Sequence, residues 1–234
     1  MAKDEEEKPK GGCLSKLFGL LVFMVIVGLG AALYFVSLPQ DLSDLREDGP
    51  APSTPASPPR DMEAVLTKSI EGDYSVILSE KELNDWLGRE LELKQGSEVA
   101  EWVSLKRVWV RLHEDVAEII VEREILGKQV TTSMFLKIDQ QESAKGISTQ
   151  IHLHGGGFHD SIPHPTRGGR FGQLTVPQGF LIMVMPEYQK IASLFEREID
   201  LGFQRMARIK ISHRKLELDP TQPTRSGDRA DTSF

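Results

Sequence analysis

VSLKRVWVRLHEDVAEIIVEREI, residues 103–125, alternates large apolar residues with charged ones on either side of His113-Glu114-Asp115, and a two-residue period is the signature of strands. Val103, Leu105, Val108, Val110 and Leu112 form the first run, and Val116, Ile119 and Val121 the second. After the turn-prone Leu126-Gly127-Lys128 the pattern resumes through Val130, Met134, Leu136 and Ile138, then Ile147, Ile151 and Leu153. Connections this short join neighbouring strands as hairpins, because a parallel crossover needs a dozen residues or more. An antiparallel meander of about four strands is predicted. Lys106, Arg107, Arg111, Glu118, Glu122, Arg123 and Lys137 interleave with the apolar residues, so one sheet face is predicted to be packed and the other solvated.

Helical signals flank the meander. Met62, Val65, Leu66 and Ile70 recur at helical spacing, and Tyr74 to Leu78 reads as a short strand. Ser79 with Glu82 three residues later has the form of a capping box, opening a helix whose Leu83, Trp86, Leu87 and Leu91 share one face. Trp86 on that face is expected to anchor the core. Beyond the meander, Gly155, Gly156, Gly157, Gly168, Gly169 and Gly172, with Pro163 and Pro165, predict a long loop. Pro186 suits the first turn of a second helix carrying Tyr188, Ile191, Leu194, Phe195 and Ile199, and a last strand is expected over Ile209–Leu218. The fold class is α+β: a curved antiparallel sheet with helices packed on one face.

Residues 17–38 contain 22 residues without a charge, and at about 1.5 Å per helical residue they reach across a bilayer core of about 30 Å. A transmembrane helix is predicted. Lys3, Lys8, Lys10 and Lys16 precede the run and only Arg46 closely follows it, which keeps residues 1–16 in the cytoplasm and puts the remainder outside, in the periplasm if the cell is Gram-negative. A cleaved signal peptide is the competing interpretation. The run is long for a signal peptide and ends in Tyr34-Phe35-Val36-Ser37-Leu38-Pro39 without a small-x-small exit, which favours a retained single-pass anchor. Gly19, Gly28, Gly30, Ala31 and Ala32 are small enough to support a homodimer through the span. Residues 39–60, rich in Pro, Ser and acidic residues, read as an extended linker; 61–218 is left as one folded domain, and 219–234 reads as a disordered tail.

With 28 basic against 35 acidic residues the chain carries a formal charge of -7, which argues against a general nucleic-acid binder. Its single cysteine, Cys13, excludes an intrachain disulfide and a thiolate zinc cluster. The chain has no phosphate-cradling P-loop, no nucleophile elbow and no dinucleotide fingerprint, so no catalytic residue and no cofactor is expected.

The membrane helix, the motif Leu78-Ser79-Glu80-Lys81-Glu82-Leu83-Asn84-Asp85-Trp86-Leu87, the meander and Gly172-Gln173-Leu174-Thr175-Val176-Pro177 before a helix together resemble the YpmS-like bacterial single-pass membrane proteins of unknown function. More distantly they are similar to extracytoplasmic lipid-binding domains of the tubular kind. The motifs concern capping and packing, so the resemblance implies an anchored envelope domain and transfers no catalytic residue.

Three sets of residues carry chemical suggestions. Phe180, Leu181, Ile182, Met183, Val184 and Met185 are expected to line a groove for a lipid or another apolar ligand, or else to be core. Arg167 and Arg170, beside Gly168 and Gly169, suit an anion such as a lipid phosphate. His152, His154, His159 and His164 fall close together, with Asp160 among them. His152 and His154 would stand about 6.6 Å apart on one side of a strand, a spacing that two imidazoles on one zinc ion can use. Polar residues on a wet strand and loop explain the same pattern. The leading function is a membrane-anchored binding module for lipid or another apolar ligand. The alternative is a structural or assembly protein of the cell envelope acting through a protein partner, and a metal hydrolase built on the histidines is a third reading.

Overall fold

The computed structural model describes residues 13–46, 60–94, 103–143 and 146–221. Most of the amino-terminal tail, the linker from 47 to 59 and the last stretch, 222–234, lie outside the described residues. The fold is α+β, with antiparallel sheets and helices.

Helix α1 (Cys13–Ser37) is the one helix among the described residues long and apolar enough to cross a membrane, and none of its apolar window is buried. The folded unit then begins with α2 (Met62–Gly72), β1 (Val76–Ser79) and α3 (Glu80–Lys94). The Ser79 box forms as expected: Glu82 N–H donates to Ser79 Oγ at 3.2 Å and Ser79 N–H donates to Glu82 Oε2 at 2.9 Å. Trp86 is buried and packs at a tilt on Phe195, ring centroids 5.4 Å apart. Asn84 on the same helix is also buried, and its amide exchanges two hydrogen bonds with the backbone of Val110, which ties α3 to the edge of the main sheet.

The meander is larger than the four strands expected. Strands β2 (Val103–Leu112), β3 (Val116–Ile125), β4 (Lys128–Ser143), β5 (Gly146–Leu153), β6 (Gly157–His159), β7 (Ile162–Phe171) and β8 (Leu174–Pro177) form a seven-stranded antiparallel sheet. Its order is β2-β3-β4-β7-β6, with β5 also on β4 and β8 on β7. The glycine-rich stretch read as a loop is therefore mostly strand. Glycine is required there by close approach: a Cβ at Gly169 would collide with the Ser133 backbone, and one at Gly168 with the backbone of Gln178.

After β8 come a 3-10 turn (Gln178–Met183), α4 (Met185–Leu194), the short α5 (Glu196–Ile199) and an irregular turn to Gln204. The expected second helix is thus broken at Phe195. The single last strand is a hairpin of β9 (Arg208–Ser212) and β10 (Lys215–Asp219), reversed at Arg214 with φ 60°, which pairs with β1 in a separate three-stranded sheet. Asp219, assigned to the tail, belongs to β10.

The inner face of the main sheet carries Val108, Val121, Met134 and Val176 against Leu66, Trp86, Tyr188, Ile191 and Phe195 from the helices. The outer face departs from expectation. Trp109 and Ile120 are buried there with Leu42, and Glu118 is fully buried, so the charged residues read as a solvated face lie partly under a cover. That cover is residues 38–46, the first part of the segment read as a spacer.

Candidate functional site

Two features of this architecture exceed what folding requires: the fastening of the chain where it leaves α1, and the turn after β8.

The fastening starts at the end of α1. Gln173 N–H, in the β7–β8 turn, donates to the Phe35 carbonyl at 3.0 Å, and Gly172, at φ 55°, leaves no room for a Cβ against the carbonyls of Phe35, Val36 and Leu38. Gln40 N–H next donates to Thr131 Oγ1 at 2.8 Å, and Leu42 fills the space between Trp109 and Ile120. Arg111 grips Asp44 with two donors, Nη2 at 2.7 Å and Nε at 2.9 Å, while Nη2 also reaches the Asp41 carbonyl. Arg46 pairs with Glu122 at 2.7 Å, and Glu122 also accepts from Trp109 Nε1 at 2.9 Å. A nine-residue strap thus crosses β4, β3 and β2.

Glu118 stands beneath that strap. Its carboxylate accepts from Ser133 Oγ at 2.7 Å and faces Arg111 at 3.3 Å, Arg170 at 3.7 Å and His113 at 3.7 Å. Burial alone pushes this carboxyl up; His113, Arg170, Ser133 and Arg111 together outweigh burial and hold it below the ordinary range. A carboxylate kept ionised among two guanidinium groups is a fastening charge, since removing it would take the carboxylate from Arg170 and leave Arg111 with Asp44 alone. Sequence reasoning missed Glu118; the signal was Ile119-Ile120-Val121, which points apolar side chains to both faces.

The turn after β8 sorts the proposed groove residues differently from expectation. Leu181 is 0% exposed and belongs to the core, with Val184 and Met185 packed against it. Phe180, Ile182 and Met183 are 53%, 76% and 66% exposed. The six residues therefore divide: Leu181 is a peg in the core, Val184 and Met185 are partly buried, and Phe180, Ile182 and Met183 stand exposed. Two open clefts among the described residues, about 480 and about 980 Å³, are lined largely by charged groups and include none of these side chains. In the smaller cleft Arg46, Lys81 and Lys106 are paired with Glu122, Asp85 and Glu124, and Arg107 stacks on Trp109 at 3.9 Å.

The anion pair and the histidines also fall apart. Arg170 is held by Glu118 and lies 5.6 Å over the Phe135 ring, while Arg167, across a strand irregularity, is exposed. His152 pairs opposite Lys137 and sits 3.8 Å from Asp139; His154 Nδ1 accepts from Gly156 N–H at 3.0 Å; His159 Nδ1 is 2.7 Å from Ser161 Oγ. His164 lies on β7, exposed. His152, His154 and His159 each have a separate local partner, and among the described residues no three of His, Cys, Asp and Glu gather as a metal site. Comparison with family models, with curated proteins and with solved structures finds no match to this chain.

Proposed function

We propose that the chain is a single-pass membrane-anchored interaction module of the cell envelope, with its tail in the cytoplasm and its sheet domain outside, that works by protein contact at the Phe180–Met183 turn. One observation carries the reading: Leu181 pins the turn to the core while Phe180, Ile182 and Met183 are spent on the surface. Small-molecule sites are concave, whereas an exposed apolar turn fits the groove of a partner. This favours the envelope-assembly alternative over a lipid groove. Strand β8 separates the turn from the end of α1 by four residues, about 13 Å, a spacing that supports a turn held clear of the headgroups where a neighbouring protein could meet it.

A photo-crosslinking residue in place of Ile182, in full-length chain in growing cells, tests the proposal. A discrete protein adduct is expected, lost when Phe180 and Met183 are both changed to Ser. Adducts with lipid alone would return the reading to lipid binding, and no adduct at all would sink both.

A further inference from the structure

Ile125 pairs with Lys128 to close the β3–β4 hairpin, leaving Leu126 and Gly127 as the central residues with φ of 50° and 75°. Two successive positive φ values make the twist-matched hairpin turn in which Asn, Asp or Gly ordinarily takes the first place. Leucine in that conformation costs about 1 kcal/mol or more. Its side chain is 86% exposed, so the folded domain gains no packing from it, and Ile125 beside it is also exposed.

The position of this turn explains the choice. Gly172 N–H donates to the Thr131 carbonyl at 2.8 Å and Phe171 pairs with Thr132, so the β7–β8 turn that caps α1 lies level with Thr131. From Thr131 back to Lys128, β4 continues three residues, about 10 Å, past that level. The strap gives the direction. Gln40 meets Thr131, Leu42 reaches Ile120 opposite Ser133, and Asp44 reaches Arg111, whose row runs through Glu118 to Phe135. From Gln40 to Asp44 the chain leaving α1 therefore climbs away from the hairpin tip, before Arg46 reaches back to Glu122, opposite Thr131. Helix α1 is exposed along its body, and its closing carbonyls meet the domain at the β7–β8 turn, the end of those strands nearest the tip.

We infer that the β3–β4 tip is a bilayer-facing finger: Leu126 and Ile125 enter the boundary between headgroups and acyl chains, with Lys128 extended toward lipid phosphate. The inference rests on α1 being a membrane span. An apolar tip with a flanking lysine has the composition of interfacial insertion, the lysine stem lying in apolar surroundings and its charge in the headgroups. Among the described residues, Glu124 is paired with Lys106 at 2.8 Å and Glu187 with Arg123. The lipid is a stronger match than a protein groove because the tip lies below the level at which the apolar span ends.

Single cysteines at positions 26, 126 and 160, each in a Cys13→Ser full-length chain, would carry an environment-sensitive fluorophore in vesicles of phosphatidylcholine and phosphatidylglycerol. Ile26→Cys reports on the span and Asp160→Cys on the far β6–β7 turn. The probe at 126 is expected to be quenched several-fold more by lipids with a nitroxide high on the acyl chain than the probe at 160, and to be shielded from aqueous iodide. Iodide access at 126 equal to that at 160, with the probe at 26 still quenched by lipid, would overturn the finger and leave the anchor intact. A probe at 26 that lipid nitroxides do not quench would remove the anchor, and the finger with it.

Discussion

Glu118 and Leu126 depart from their ordinary surroundings in opposite senses, one charge buried and one hydrocarbon exposed. Glu118→Gln keeps the Ser133 hydrogen bond but takes the carboxylate from Arg170 and leaves Arg111 with Asp44 alone, so a loss of about 2–3 kcal/mol is expected in denaturant unfolding followed by tryptophan fluorescence. The same residue sets a pH dependence. A carboxyl whose folded-state pKa is depressed stabilises the fold above its unfolded value, and that contribution is lost as pH falls through the folded value. Glu118 is depressed against burial by His113, Arg170, Ser133 and Arg111, and Glu82 by the Ser79 amide. Glu187 runs the other way: burial raises it despite Arg123, so acid relieves a cost there. The thermal midpoint should be nearly flat around neutrality and fall below about pH 4, and Glu118→Gln should flatten the fall. Leu126→Asn relieves the left-handed strain without disturbing any packing, and should raise stability in detergent by about 0.5–1 kcal/mol while abolishing lipid contact at the tip. A decrease would mean that the leucine serves the fold itself.

At the scale of elements, the strap decides whether the span and the domain move as one body. Leu42→Ala empties the space between Trp109 and Ile120, and should cost about 2–4 kcal/mol and speed amide exchange at Gln40 and Arg46 ahead of the sheet. Exchange that stays unchanged at those amides would show that Arg111 and Asp44 alone fasten the segment. The two-residue period gave the strands their positions, and Ser79 with Glu82 gave the start of α3, because both signals act over a few residues of chain. The cover over the outer face was harder to read. Trp109 between Arg107 and Arg111, and Ile120 within Ile119-Ile120-Val121, say that something apolar must lie outside. The covering residue, Leu42, sits in a stretch whose overall composition is dominated by the prolines that follow. The strands at 157–177 were missed for a related reason: Gly168 and Gly169 break propensity rules locally in order to let β4 and the 3-10 turn approach, and only the assembled sheet reveals that need. The histidines illustrate the limit of proximity in sequence, since His152, His154 and His159 each find a separate local partner.

For the whole molecule, the consequence of capping α1 on the β7–β8 turn is that orientation in the membrane fixes the orientation of every surface. If α1 spans a membrane with the lysines before it inside, the proposed β3–β4 finger meets the outer leaflet and the Phe180–Met183 turn is expected above it, facing neighbours that share the same leaflet. Inverting the chain would carry both surfaces to the cytoplasmic side together, because the strap joins the end of α1 to the sheet through Arg111 with Asp44 and Arg46 with Glu122. Cys13, the single cysteine and the first residue of α1, makes the orientation measurable without altering the protein. A membrane-impermeant maleimide should leave Cys13 unmodified in intact cells and label it after permeabilisation. In the Cys13→Ser background, Asp160→Cys should show the reverse, labelling without permeabilisation. Cys13 reacting in intact cells would place the domain inside, and with it the tip against the inner leaflet. A mature chain that has lost Cys13 altogether would make α1 a removed leader and free the strap from any membrane role.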